Sequence, residues 1–305
     1  MNNSLTIFGS GSSLPTKNNF PTAQILELRD KQFMIDCGEG AQIRMRQIHF
    51  KTNRLGHIFI SHLHGDHCFG LIGLISSFGM LGRTADLHIH AQPDLQKILQ
   101  PQLDYFCDKM TFEVIFHNFN PNNNEIIYED RTVKVSTIPL KHRVPCCGFL
   151  FEEKPKDRHI IREMIDFYEI PFSQIHKIKK GEDFVTSEGK IISNERLTTA
   201  PEHPIRFAYC SDTSYSEKII PIIKGVDCLY HEATFEEEFA QRAKETKHST
   251  ATQAATIALK AEVKQLIIGH FSARHSNQSQ LLREAQSVFP NTLLAKDLNT
   301  YPLSI

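Results

Sequence analysis

The chain has no Cys-x-x-Cys pair, no long apolar run and almost no net charge. Each shortage excludes something. The seven cysteines (Cys37, Cys68, Cys107, Cys146, Cys147, Cys210 and Cys228) are odd in number and unclustered in metal-binding spacing. That argues against a disulfide framework and against a cysteine-held structural zinc, and most are expected to be small buried apolar residues. Without some 20 consecutive apolar residues, no bilayer span is expected. The opening MNNSLTIFGSGSSLP has no basic segment followed by an apolar stretch, so no secretory signal is expected and cytoplasmic residence is the expectation. A net charge of −1 leaves no global basic signature, so any nucleic-acid partner must be met by local patches.

What remains is ordinary in bulk and unusual in one residue. A chain of 305 residues with 40% apolar and 23% charged content reads as a soluble globular protein of one large α/β domain or two small ones. Strands are expected at 5–8, 23–28, 32–35, 57–60, 87–91, 132–138, 205–209, 227–230 and 265–269. Helices are expected at 69–81, 93–106, 235–244, 250–262 and 278–288. Ser249 and Thr250 offer hydroxyl caps to one helix, and Ser276 and Asn277 precede the last. This alternation points to layered α/β architecture. Residues 152–203 differ: they are charged, proline-punctuated and poor in core-type periodicity. They are expected to form an inserted, partly exposed arm with one short helix near 160–168, on a single domain spanning 1–305.

Sixteen histidines are many, and their placement decides what they mean. An apolar strand runs into Phe59-Ile60-Ser61-His62-Leu63-His64-Gly65-Asp66-His67-Cys68-Phe69-Gly70-Leu71. His62 and His64, two apart on extended backbone, point to one side. Asp66 and His67 follow where the chain turns, facing a second point nearby, and Gly65 is expected to permit the tight backbone. Two adjacent half-sites suit a binuclear metal centre, and burying these groups without a cation is costly. Four ligands do not close two sites, so others are expected after downstream strands. His142, Asp212 and His270 each follow an apolar run. The expected first site is His62, His64, His142 and a bridging Asp212; the second is Asp66, His67, His270 and the same Asp212. His88 and His90 form an HxH pair without a following Asp-His, and a structural role is expected. His49, His57, His117, His159, His176, His203 and His275 lack metal-type neighbours, although His176 and His275 are suited to touching a polyanion.

Several segments in order along the chain resemble the ribonuclease Z family of the metallo-β-lactamase superfamily. These are Phe33–Gly40, the Phe59–Leu71 metal motif, Asp227–Phe235 with its His-Glu-Ala-Thr, His248-Ser249-Thr250-Ala251, and Gly269–His275. The resemblance covers residues from about 5 to about 298. It implies an αββα four-layer sandwich of two mixed sheets with helices outside. It implies the seven ligands already argued, Asp66 as general base and His248 near the leaving group. Glu232, in the family motif, is expected to orient His248.

Two zinc ions roughly 3.5–4 Å apart share one bridging water, and zinc brings a bound water's pKa to about 7. A metal-bridging hydroxide is therefore the expected nucleophile. The resemblance implies hydrolysis of precursor tRNA at its 3′ side, leaving a 3′-hydroxyl on the tRNA and a 5′-phosphate on the trailer. It also implies a homodimer whose arms hold tRNA. In the arm, Lys177-Ile178-Lys179-Lys180-Gly181 retains the basic part of the family element, while the glycine-rich part before it is missing. Lys177, Lys179, Lys180 and Arg274 are expected substrate contacts, with Arg44, Arg46, Lys141 and Arg143 as further phosphate candidates. Two alternatives stay open: a phosphodiesterase of the same fold acting on small cyclic or aryl phosphodiesters, and a non-catalytic RNA-binding module.

Overall fold

The computed structural model describes residues 3–17, 19–274 and 277–303. They separate into two compact units, Met1–Glu152 with Ile205–Ile305, and Glu153–Pro204.

In the larger unit the apolar runs become two seven-stranded sheets. The first has the order Thr300–Pro302, Ser4–Gly9, Ala23–Leu28, Lys31–Cys37, Leu55–Phe59, Leu87–Ala91, Val114–Asn118. Its first four strands pair antiparallel and its last four parallel. The second has the order Thr292–Leu294, Gln265–Gly269, Cys228–Glu232, Arg206–Cys210, Cys147–Glu153, Val133–Pro139, Ile126–Glu129. Strand alternation places Ile7, Leu26, Phe33 and Phe59 of the first sheet against Phe149, Phe151, Phe207 and Tyr230 of the second, in one buried cluster. The outward faces are covered by helices. Leu71–Met80 and Asp94–Phe106 pack on the first sheet, and Ala251–Lys260 and Ser279–Val288 on the second. This is the αββα sandwich. Central strands buried on both faces explain the near-continuous apolar runs of Gln265–Gly269 and Cys228–Glu232. Truncating a core residue such as Leu266 to alanine costs about 2–5 kcal/mol.

Local signals explain where expectation and structure part. Thr250 caps its helix through a reciprocal pair, accepting from the Gln253 backbone N–H while Gln253 accepts from the Thr250 backbone, both at 3.2 Å. The helix expected from Phe235 begins later, as a 3₁₀ turn at Glu237–Phe239 followed by Ala240–Thr246, because the Phe235 backbone pairs with Thr250. Asn277 accepts from the Ser279 backbone at 2.9 Å at the start of the last helix; His275 and Ser276 lie outside the described residues.

The smaller unit has a core of its own: Ile170, Ile178, Phe184, Ile192 and Leu197. It carries two main helices, Arg162–Phe167 and Phe172–Lys179, where one was expected. The second buries a single side chain, Ile178, so it leaves almost no periodic trace in the sequence. Asn194 takes the place of further apolar packing, its buried amide donating to the Ile178 and Glu182 carbonyls at 2.6 and 2.8 Å.

Candidate metal centre

The site lies in the larger unit where strands end. His62 follows the strand Leu55–Phe59, His142 follows Val133–Pro139, Asp212 follows Arg206–Cys210 and His270 follows Gln265–Gly269. His64 is still extended, with φ −72° and ψ 147°, and the one-turn helix Gly65–Cys68 then presents Asp66 and His67. Asp212 and His270 both adopt the left-handed backbone region, with φ of 62° and 60°. Each such residue costs of order 1–3 kcal/mol and marks a position held by its surroundings. Gly65 does not need the backbone freedom expected of it. Its φ is not positive; a Cβ there would lie 2.2 Å from the Phe69 ring.

The seven expected side chains converge. The nitrogens and oxygens of His62, His64, His142 and Asp212 fall within 4.8 Å of one another, as do those of Asp66, His67 and His270. Asp212 joins the two groups through its separate oxygens. Its Oδ2 lies 3.7 Å from His62 Nε2 and 3.5 Å from His142 Nε2, while its Oδ1 lies 3.4 Å from His67 Nε2 and 3.1 Å from His270 Nε2.

The outer nitrogens are tied down, which settles how the inner ones point. His142 Nδ1 donates to the Lys247 carbonyl at 3.0 Å. His67 Nδ1 meets Asp36 Oδ2 at 2.8 Å, His62 Nδ1 the Ser61 hydroxyl at 3.0 Å and His270 Nδ1 the Thr234 hydroxyl at 3.1 Å. Ligating histidines are held this way in metal sites. Asp36 is itself fixed by the Ser61 backbone N–H and hydroxyl at 2.8 and 2.9 Å and by the Tyr209 hydroxyl at 2.7 Å. Its role was not assigned from the sequence. The signal was present: Asp36 stands at the end of the apolar run of Lys31–Cys37, and Asp212 closely follows another at Arg206–Cys210.

The donor set fits a pair of divalent cations. His67 Nε2 and His270 Nε2 are buried without a hydrogen-bond partner, and such orphaned atoms need an explanation. Burial opposes charge on His67, yet Asp212, Asp36 and Asp66 hold its pKa well above the usual value. Burial alone would raise Asp212, but His270, His67 and His62 draw it well below the carboxylate range. Buried carboxylates facing imidazole nitrogens make a field that a cation neutralises.

Beside this cluster, His248 Nδ1 lies 3.0 and 3.1 Å from the two Glu232 oxygens. Glu232 is fully buried and also accepts from the Thr213 and Ser249 backbones and the Thr234 hydroxyl. Burial works against an imidazolium at His248, but the Glu232 carboxylate outweighs it and raises the pKa to about 9. His64, Asp66, Asp212 and His248 line a cleft of about 430 Å³ together with Arg143 and the exposed ring of Phe69. Arg274 borders an adjoining concavity. Of the lysines expected to touch substrate, Lys177, Lys179 and Lys180 belong to the smaller unit, and Lys180 is paired with Asp157 at 2.8 Å.

Among solved structures, the chain resembles human tRNase Z, short form, with a TM-score of 0.73, 22% identity and coverage of 99% of this chain and 100% of that one. It also resembles the metallo-β-lactamase fold protein YhfI of Bacillus subtilis, with a TM-score of 0.69, 18% identity and 99% coverage of both. These likenesses establish the fold. A family model described as anti-Pycsar protein Apyc1 matches residues 3–161. Ribonuclease Z of Bacteroides fragilis is 57% identical over 293 residues, 96% of either chain. Ribonuclease Z of Porphyromonas gingivalis is 50% identical over 294 residues, 96% of this chain and 97% of that one. With more than half its residues shared along almost its whole length, the chain belongs to the ribonuclease Z family, on a metallo-β-lactamase fold whose first half also falls within the Apyc1 family.

Proposed function

We propose that this chain is a zinc-dependent endoribonuclease that hydrolyses precursor tRNA at the 3′ side, removing the trailer and leaving a 3′-hydroxyl on the tRNA. The observation that carries this is Asp212, with one oxygen toward each of two histidine groups, beside the His248–Glu232 pair.

Two Zn²⁺ fit the donors. His62, His64, His142 and Asp212 would hold one, and Asp66, His67, His270 and Asp212 the other. When bound, such a pair polarises a phosphate oxygen and makes a water-derived nucleophile available at neutral pH. The chain's own groups do the rest. Asp66, steadied by the Ser13 backbone N–H at 2.7 Å, is placed to accept the proton of the attacking water. Glu232 accepts a hydrogen bond from Nδ1–H of His248, which keeps the Nε2 proton for the departing 3′ oxygen. Fixed tautomers at His62, His67, His142 and His270 keep their Nε2 atoms turned inward before substrate arrives.

The same reading has the enzyme working as a cytoplasmic homodimer, with Lys177, Lys179 and Lys180 of residues 152–203 holding tRNA phosphates as an exosite. Their support is the basic run itself. Among the described residues, no helix is long and apolar enough to cross a membrane.

The test is incubation with a defined 3′-extended precursor tRNA, mapping the cut to one nucleotide with and without chelator. The expected result is chelator-sensitive cleavage giving a 3′-hydroxyl on the tRNA and a 5′-phosphate on the trailer. Zinc-loaded protein that binds the RNA without cutting it would leave a binding module instead. Preferential turnover of small phosphodiesters would move the chain to the other phosphodiesterase reading.

A further inference from the structure

On the His248 side of the metal centre lies a second concavity, of about 360 Å³. Arg143, Arg242 and Arg274 all line it, and no aspartate or glutamate does. The three arginines come from unrelated places: the loop after Val133–Pro139, the helix Ala240–Thr246, and the turn after Phe271–Ser272. Among the described residues, none of the three guanidinium groups has an ion pair or hydrogen bond of its own. Elsewhere the chain pairs many of its cations: Lys31 with Asp130, Arg44 with Asp297, Arg54 with Glu27, Lys264 with Asp227. Three uncompensated charges converging in one hollow of a chain with net charge −1 make a local anion site. The planar fork of arginine suits phosphate oxygens.

The hollow and the catalytic cleft share Ser13, Leu14, Arg143 and His248, so a strand crossing the cleft passes from one into the other. Which part of the strand enters follows from the bond that breaks. Attack at phosphorus breaks the P–O3′ bond. The oxygen that departs, on the side of His248, belongs to the last nucleotide kept on the tRNA, while the phosphorus stays with the trailer. Resting on the function proposed above, we infer that the arginine-lined hollow is a subsite for the backbone phosphates just 5′ of the cut, at the end of the acceptor strand. The trailer, carrying the phosphorus, departs on the other side, past Glu39 and the exposed Phe69 ring.

The two strand ends separate in a binding experiment that requires no cleavage. Two short RNAs serve as probes with zinc-loaded protein: one with the acceptor-end sequence and a 3′-hydroxyl, the other a 5′-phosphorylated trailer. The variant is Arg242→Gln with Arg274→Gln; Arg143 is left intact because it also borders the cleft. Lys97→Gln with Lys224→Gln, two exposed lysines paired with Asp94 and Glu262, is the charge-matched control, and Arg242→Lys with Arg274→Lys tests rescue. Affinity for the 3′-hydroxyl strand should fall about tenfold or more in the glutamine variant. The slope of log K against log salt for that strand should shrink by about 1.4, at about 0.7 per lost contact on single-stranded RNA. The trailer's affinity should stay as it is, and lysine should restore part of the loss. A loss confined to the trailer, an equal loss on both strands, or no loss would overturn the subsite. Whether the wild-type protein cuts precursor tRNA is read separately, so failure of the catalytic reading and failure of the subsite are told apart.

Discussion

Two crowds of histidines stand in the larger unit, and their contrast shows what makes a metal site. In the cluster around Asp212 the ring centroids of His62 and His67 are 4.1 Å apart and those of His62 and His142 5.2 Å. In the other, His57 stacks on His88 at 4.8 Å and His90 on His117 at 4.6 Å. Nitrogen–nitrogen approaches match as well: His62 to His64 at 3.0 Å, against His57 to His90 at 3.1 Å and His88 to His117 at 2.9 Å. Even the HxH spacing recurs, at 62–64 and 88–90. Carboxylates make the difference. Asp212 and Asp66 face the first cluster's inner nitrogens while Asp36 and others hold the outer ones. In the second, the rings bond to each other and lie against Phe59 and Tyr128. Burial, then the neighbouring histidines, push His57 down to about 4 and His90 to about 2, so these rings are held neutral.

The sharpest break in that contrast is Asp212→Asn, which keeps the shape and removes the shared charge. Metal content measured by mass spectrometry should drop in both groups, and cleavage should fall by about 10³ or more, since metal stabilisation of developing charge is worth several kcal/mol. Retention of two metals per chain would show that Asp212 does not join the sites. Next comes His248→Ala. It should lower kcat by about 10²–10⁴ while leaving metal content unchanged, because Nδ1 of His248 is engaged by Glu232. A parallel loss of metal would recast His248 as a ligand in the group with Asp212 and His270.

The same contrast explains how much was legible in the sequence. The seven convergent residues were readable because a metal site draws its ligands from strand ends, and an apolar run followed by His or Asp marks such an end. Asp36 sits in the same kind of place but is not marked by the sequence, because a carboxylate that acts through a histidine carries no spacing rule. The meeting of His57, His88, His90 and His117 was invisible for another reason. It is set by the parallel register that places His57 beside His88 and His90 beside His117, and Val114–Asn118, a strand without a fully buried residue, shows no strand pattern in the sequence. The short edge strands Thr292–Leu294 and Thr300–Pro302 were lost likewise, since three residues are too few to show a period. The helix Ala41–Gln47 buries only Ala41 and Met45 and gave no stripe.

A milder change tests the support rather than the ligands. Asp36→Asn leaves His67 in place and weakens its outer partner. Metal affinity should fall by about 10–100-fold, read as a shifted midpoint in chelator competition, with the αββα fold intact by circular dichroism. An unchanged midpoint would mean that the Ser61 hydroxyl, not the Asp36 charge, orients His67.

The smallest effect belongs to the histidines without a carboxylate network, and its sign is fixed by their neutral state. An unfolded histidine titrates near 6.5, whereas His57 in the fold titrates at about 4. The folded protein therefore binds fewer protons than the unfolded chain between those values. Stability should be level above about pH 6.5 and decline as pH falls toward 4, by at most about 1.4 kcal/mol per pH unit for one such group. Asp130 favours the charged ring and Lys31 opposes it, so neither alone reverses the sign. Replacing His57 by phenylalanine, among Phe33, Phe59 and Tyr128, removes the titrating group and keeps a ring. The urea midpoint of His57→Phe should lie below wild type at pH 7.5, because the buried His90 Nε2 loses its partner at 3.1 Å, and should fall less steeply between pH 6.5 and 5. Any proton uptake at the metal centre is common to both proteins and cancels in the difference. Parallel curves would mean that His57 charges freely in the fold, and the two clusters would then differ in their ligands but not in their tolerance of charge.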